Sequence, residues 1–103
     1  MDDFKNKTAV ITGGASGIGL AVANRLGQEG ANIVIADVED DALAKARTAL
    51  DNAGIPVEAV RTDVTDTSQI TALADAAEAR FGAIHFLHNN AGVTTTGLAE
   101  EQT

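Results

Sequence analysis

An α/β fold built on a parallel sheet is what this sequence predicts, on three observations. Short, β-rich apolar segments alternate along the chain with stretches of helical apolar spacing. The connections between them are only a few residues long, which suits crossovers between parallel strands. A glycine-rich turn, Gly13-Gly14-Ala15-Ser16-Gly17-Ile18-Gly19, separates the first strand from the first helix.

The elements follow in order. Lys7 to Thr12 reads K-T-A-V-I-T and ends in glycine, as a strand buried on both faces does. From Gly17 the period becomes helical: Ile18, Val22 and Leu26 share one face with Ala23 beside them, and Gly30 closes the helix. Asn32 to Asp37, N-I-V-I-A-D, is a second buried strand. Residues 39 to 53 form a second helix, with Leu43, Ala46, Leu50 and Ala53 at helical spacing and Glu39, Asp40 and Asp41 at its dipole-favoured start. Gly54 and Pro56 stop it, and Val57 to Thr62 is the third strand. Asp66 reads as the N-cap of a third helix, with Gln69 placed as in a capping box. Ile70, Leu73, Ala74, Ala77 and Phe81 make its apolar stripe, and Gly82 ends it. Ile84 to His88 is the fourth strand, leading into Asn89-Asn90-Ala91-Gly92. A Rossmann-like doubly wound parallel sheet with three crossover helices takes the partial order 3-2-1-4, with the first strand central.

The totals narrow the function classes. At 103 residues the chain is one domain at most, and its 45% hydrophobic content is globular usage. The net charge is −8, and the basic residues Lys5, Lys7, Arg25, Lys45, Arg47, Arg61 and Arg80 are scattered. Without a basic stripe, neither nucleic acid nor an anionic membrane is expected as partner. The absence of cysteine excludes disulfides, a thiolate nucleophile and Cys-ligated metal, and is compatible with a reducing cytosol. No apolar run approaches the length of a membrane span, and Met1-Asp2-Asp3 does not begin a secretory signal. A cytoplasmic location is the expectation.

The glycine turn lies where the strand order reverses, which is where such sheets bind ligands. A helix N-terminus there offers free N–H groups and partial positive charge, which suit a pyrophosphate. Gly13 permits the turn, Gly17 lets a phosphate approach the backbone, and Gly19 lets the helix pack close to the strand. Ser16 adds a hydroxyl donor, and Gly14 and Gly27 have weaker claims, in the turn and in packing. The spacing, G-x-x-x-G-x-G, differs from the G-x-G-x-x-G fingerprint and is not a P-loop. The alternative is a tight structural turn. Asp37 ends the second strand 18 residues after Gly19. A carboxylate there accepts from both adenosine ribose hydroxyls and repels a 2′-phosphate. With Val38 next and no Arg or Lys from 13 to 19, NAD is favoured over NADP. The alternative is that Asp37 merely caps the second helix.

Three motifs in this order resemble the short-chain dehydrogenase/reductases over nearly the whole chain. Thr12-Gly13-Gly14-Ala15-Ser16-Gly17-Ile18-Gly19 matches T-G-x-x-x-G-x-G, Asp63-Val64 follows the third strand, and Asn89-Asn90-Ala91-Gly92 follows the fourth. The resemblance implies that Asp63 meets the adenine amino group, with Val64 against the ring. It implies that Asn90, Ala91 and Gly92 lie beside the nicotinamide ribose, that Thr12 links the first strand to that turn, and that Ile18 belongs to the dinucleotide site. It also implies an alcohol/carbonyl oxidoreductase acting on a small-molecule substrate. Family members use a Ser, a Tyr and a Lys that lie beyond the Asn-Asn-Ala-Gly turn. This chain has no tyrosine, and its only serines are Ser16 and Ser68, so no catalytic residue is assigned. The expectation is an N-terminal cofactor-binding portion, with residues 1–92 as a dinucleotide-binding half-domain and 93–103 as a polar tail. The alternatives are a non-catalytic, stand-alone nucleotide-binding or assembly module and a Rossmann-like methyltransferase. A homo-oligomer is expected only of the full-length enzyme. Alone, the chain is expected to be inactive and marginally stable, its fourth strand an open edge with few partners for Ile84, Phe86 and Leu87.

No metal site is expected. His85 and His88, three apart on a strand, point to opposite faces and cannot share a metal, so core or helix-packing roles are expected. His88 departs from the aliphatic residue usual in the family. Thr94-Thr95-Thr96 reads as a polar loop.

Overall fold

The computed structural model describes residues 4–15 and 17–89. Seven elements alternate: β1 (Thr8–Thr12), α1 (Gly17–Gln28), β2 (Asn32–Asp37), α2 (Asp40–Asn52), β3 (Val57–Arg61), α3 (Thr67–Phe81) and β4 (Phe86–Asn89). The strands are parallel in the order β3-β2-β1-β4. The doubly wound sheet expected from the alternation of periods is therefore the fold.

β1 is central, and all five of its residues are buried. Its side chains alternate between the two faces of the sheet. Ala9 and Ile11 join Ile33 and Ile35 of β2 in a core closed by Ala23 of α1 and by Leu43, Ala46 and Leu50 of α2. Val10 joins Val34 and Ala36 in a smaller core closed by Leu73 and Ala77 of α3. Two helices thus cover one face and one helix covers the other. This explains why the strands read as continuous apolar runs rather than alternating ones.

Four local expectations change. On α1 the buried residues are Gly19 and Ala23, while Ile18 is 69% exposed. Close approach of a helix to a sheet selects its smallest side chains at the line of contact, so the large apolar residues flank that line. Leu20, Val22 and Leu26 do so, half-buried. Ile70 of α3 is likewise exposed. β4 begins at Phe86, so Ile84 precedes the strand, packed against the smaller core. His85 also precedes β4 and is exposed rather than in the core; its N–H donates to the Thr8 carbonyl at 2.9 Å. Its Nδ1 accepts the Thr8 N–H at 3.0 Å, so a side chain completes the ladder where the strand has not yet begun.

β4 is an edge strand of the described sheet, with Phe86 40% and Leu87 39% exposed. The Phe86 ring rests on Phe4 at 5.2 Å between centroids. His88 is half-buried, and its Nε2 is buried without a hydrogen-bond partner among the described residues. The Thr12 hydroxyl donates to the His88 carbonyl at 3.4 Å, which joins β1 to β4.

Candidate functional site

Parallel strands bring their C-terminal ends to one edge, and three turns meet there: Gly13 onward after β1, Asp37 onward after β2, and Thr62 onward after β3. Backbone bonds hold them together. The Gly14 N–H donates to the Ala36 carbonyl at 3.2 Å, and the Thr62 N–H donates to the Asp37 carbonyl at 2.9 Å.

The first turn depends on the absence of side chains. A Cβ on Gly14 would stand 2.8 Å from the Ile11 carbonyl oxygen and 2.9 Å from Cγ2 of Ile35. The backbone oxygen cannot move aside, so this glycine fixes how near the turn lies to β1 and β2. Gly17 has φ +58° with open space around it, so its need for glycine is conformational rather than steric. Spacing alone singles out positions 13, 17 and 19, yet Gly14 lies tight against both β1 and β2. Ser16, Asn90, Ala91 and Gly92 lie outside the described residues.

The three helix starts differ in charge. α2 opens with Asp40 and Asp41 behind Glu39, and α3 is capped by Asp66. α1 opens with Gly17-Ile18-Gly19 and has no carboxylate in its first turn. Its dipole therefore meets no acidic side chain of its own there, while the N–H groups of that turn have no intrahelical acceptor.

Asp37 joins the three turns. Its Oδ1 accepts from the N–H groups of Val38 at 2.8 Å and Glu39 at 3.3 Å. Its Oδ2 accepts from the N–H of Ala15, in the glycine turn, at 3.3 Å. The side chain thus organises the approach to α2 and also reaches the turn before α1, while the N-cap of α2 is Glu39 rather than Asp37. The adjacent Val38 is 43% exposed. Arg61 is the register partner of Asp37 on β3, and its guanidinium pairs with Asp40 at 3.4 Å.

The turn between β3 and α3 is built from side chains. The Thr65 N–H and hydroxyl both donate to Asp63 Oδ1, at 2.9 and 2.6 Å. They hold the Asp63 carboxyl below its usual range, the hydroxyl most strongly. Val64 beside it is half-buried. Asp66 Oδ1 accepts from the Ser68 N–H at 3.0 Å and its hydroxyl at 2.7 Å, so this carboxyl also lies below its usual range, again chiefly through the hydroxyl. The expected capping box takes another form. Gln69 does not accept the N–H of Asp66, which donates instead to the Asp63 carbonyl at 3.0 Å. Gln69 Oε1 accepts the N–H of Asp63 at 2.8 Å, and its Nε2 donates to Asp66 Oδ2 at 3.2 Å. The spacing of Gln69 is legible in the sequence, whereas its partner, the N–H of Asp63, lies outside the helix.

Among the described residues, no group of three His, Cys, Asp or Glu side chains could hold a metal ion, and no helix is long and apolar enough to cross a membrane.

Comparison with known proteins adds three kinds of likeness. A family model described as short chain dehydrogenase matches residues 7–103. The chain is 43% identical to C alpha-dehydrogenase from Sphingobium sp., over all of the chain and 34% of that protein. It is 42% identical to galactitol 2-dehydrogenase from Agrobacterium fabrum, over 95% of the chain and 39% of that protein. A crystal structure of a short chain dehydrogenase/reductase from Burkholderia phymatum, in complex with NAD, superposes with a TM-score of 0.81 at 47% identity, over 84% of the chain and 31% of that structure. The chain therefore spans little more than a third of the length of the curated relatives it matches.

Proposed function

Because the chain belongs to the short-chain dehydrogenase family, we propose that it is the cofactor-binding portion of an alcohol/carbonyl oxidoreductase and takes NAD in preference to NADP. A nicotinamide dinucleotide supplies hydride acceptance and donation; the residues of this chain supply its place. The observation that carries the reading is the pairing of a first turn of α1 that carries no acidic residue of its own with Asp37 at the same edge, joined through the N–H of Ala15. The first favours a diphosphate over the glycine turn and the second favours unsubstituted ribose hydroxyls beside it. The N–H groups of the first turn of α1 face the diphosphate, Gly17 keeps a side chain out of its way, Gly14 lets the turn lie close against β1 and β2, and Asp37 receives the ribose. Asp63 accepts from the adenine amino group with Val64 against the ring, and Asn90, Ala91 and Gly92 lie toward the nicotinamide ribose. Residues 1–92 act as the cofactor-binding unit, and the chain alone is inactive, having no tyrosine to serve as the proton-transferring group. The dehydrogenase names of its relatives and the NAD complex of one of them support this reading.

The test is a calorimetric titration of the chain with NAD and NADP. Asp37→Ala is expected to weaken NAD by roughly tenfold or more, the size of a lost charged hydrogen bond, and to leave NADP nearly unchanged. An equal loss for both would reduce Asp37 to a helix-start residue. Preference of the unaltered chain for NADP would overturn the reading of Asp37 as the ribose acceptor.

A further inference from the structure

We propose that Gln69 is a positioning residue of the adenine end of the site, holding the turn from which Asp63 presents its carboxylate; this rests on the reading of Asp63 as the adenine contact. Gln69 stands in the first turn of α3 and is half-buried, with its own N–H donating to the Asp66 carbonyl at 3.0 Å. From that anchored position its side chain reaches back out of the helix. Oε1 takes the N–H of Asp63 at 2.8 Å and Nε2 gives to Asp66 Oδ2 at 3.2 Å. Only one orientation of the amide serves both partners, since a backbone N–H requires an acceptor and a carboxylate a donor. A glutamate here would set a second negative charge against Asp66, and an alanine would leave the Asp63 N–H without this acceptor.

The two oxygens of Asp63 are used differently. Oδ1 is held by both donors of Thr65. No described residue donates to Oδ2, which leaves it for a ligand. Thr65 sets the rotation of the carboxylate, while Gln69 sets the backbone that carries it. Gln69 touches no ligand itself and acts through Asp63.

The adenine amino group is the discriminating contact, so the probes are NAD and nicotinamide hypoxanthine dinucleotide, in which an oxygen replaces that amino group. Titrations compare the unaltered chain with Asp63→Ala, Gln69→Ala, Gln69→Glu and the double variant Gln69→Glu/Asp66→Asn. The unaltered chain is expected to prefer NAD by about tenfold, and Asp63→Ala to lose that preference. Gln69→Ala is expected to lose most of it while holding the hypoxanthine analogue within about a factor of two, below the effect of one hydrogen bond. Gln69→Glu is expected to behave similarly, and adding Asp66→Asn to restore the preference, because donor and acceptor then exchange places. If Gln69→Ala does not fold, the last two variants carry the test. Preference retained in both single Gln69 variants overturns the proposal alone, as does equal weakening of both dinucleotides. No preference in the unaltered chain overturns the Asp63 reading, and the proposal with it.

Discussion

The turn after β1 and the turn after β3 occupy the same edge of one sheet, and each leads a strand into a helix. They are built in opposite ways. The first is shaped by removing side chains: Gly14 lies against the Ile11 carbonyl and Ile35, and Gly17 takes a left-handed φ. The second is shaped by adding them: Thr65, Asp66, Ser68 and Gln69 tie a few residues of backbone into a closed set of bonds. The difference follows from what each turn is proposed to hold. A diphosphate is bound by N–H groups at close range, and any side chain stands between them. A base is bound at its edge by one oriented polar group, which needs other side chains to orient it.

The contrast can be broken most severely at Gly14. Gly14→Ala is expected to cost about 3 kcal/mol, at the upper end for overpacking because one obstacle is backbone. Urea denaturation would show it, and a cost near zero would mean that the turn can lift away from β1. Gly17→Ala has no steric obstacle and should cost about 1 kcal/mol, the strain of a left-handed residue with a Cβ. A larger loss of NAD affinity than of stability in this variant would sharpen the reading of the turn as a phosphate site. The smallest effect separates the turns by pH. The Asp66 carboxyl lies below its usual range when folded, so its charge stabilises the fold above the ordinary Asp value of about 4, and that contribution fades as pH falls toward the folded value. Asp66→Asn keeps an acceptor for Ser68, removes the charge and turns an amide donor toward Gln69 Nε2; of these effects only the loss of charge depends on the titration of Asp66. Its deficit in denaturation midpoint against the unaltered chain should be present at pH 7 and shrink as the pH is taken to about 3, whereas the deficit of Gly14→Ala should not track the titration of Asp66.

Much of this architecture is legible in sequence because it is local. The run N-I-V-I-A-D bounds β2 at Asn32 and Asp37, and the strand-turn-helix order puts Gly13 to Gly19 and Asp37 at one edge. What escaped depends on distance across the sheet. The clearance at Gly14 is set by the Ile11 carbonyl on one side and by Ile35, two elements away in sequence, on the other, so a spacing motif ranks it below Gly13. The link from Asp37 to Ala15 crosses 22 residues and forms only once β2 lies beside β1. Ile18 fails for another reason: helical periodicity marks an apolar stripe but does not say which edge of it touches the sheet, and here the contact line passes through Gly19 and Ala23. Gln69 had the spacing of a cap residue, yet its main partner sits before the helix, where helical periodicity does not reach.

The place of β1 has a consequence for the order of assembly. β1 pairs on one side with β2, which starts at Asn32, and on the other with β4, which starts at Phe86. The bond between Thr8 and His85 spans 77 residues. On a growing chain the central strand therefore gains its first neighbour early and its second only when almost ninety residues have been made. In that interval one whole side of its hydrogen-bonding ladder, running past Val10 and Ile11, is open to any other extended chain nearby. Non-local closure of this kind is slow and leaves apolar strand exposed to misassembly. The strand most protected in the finished molecule is thus among the most vulnerable while it is being made.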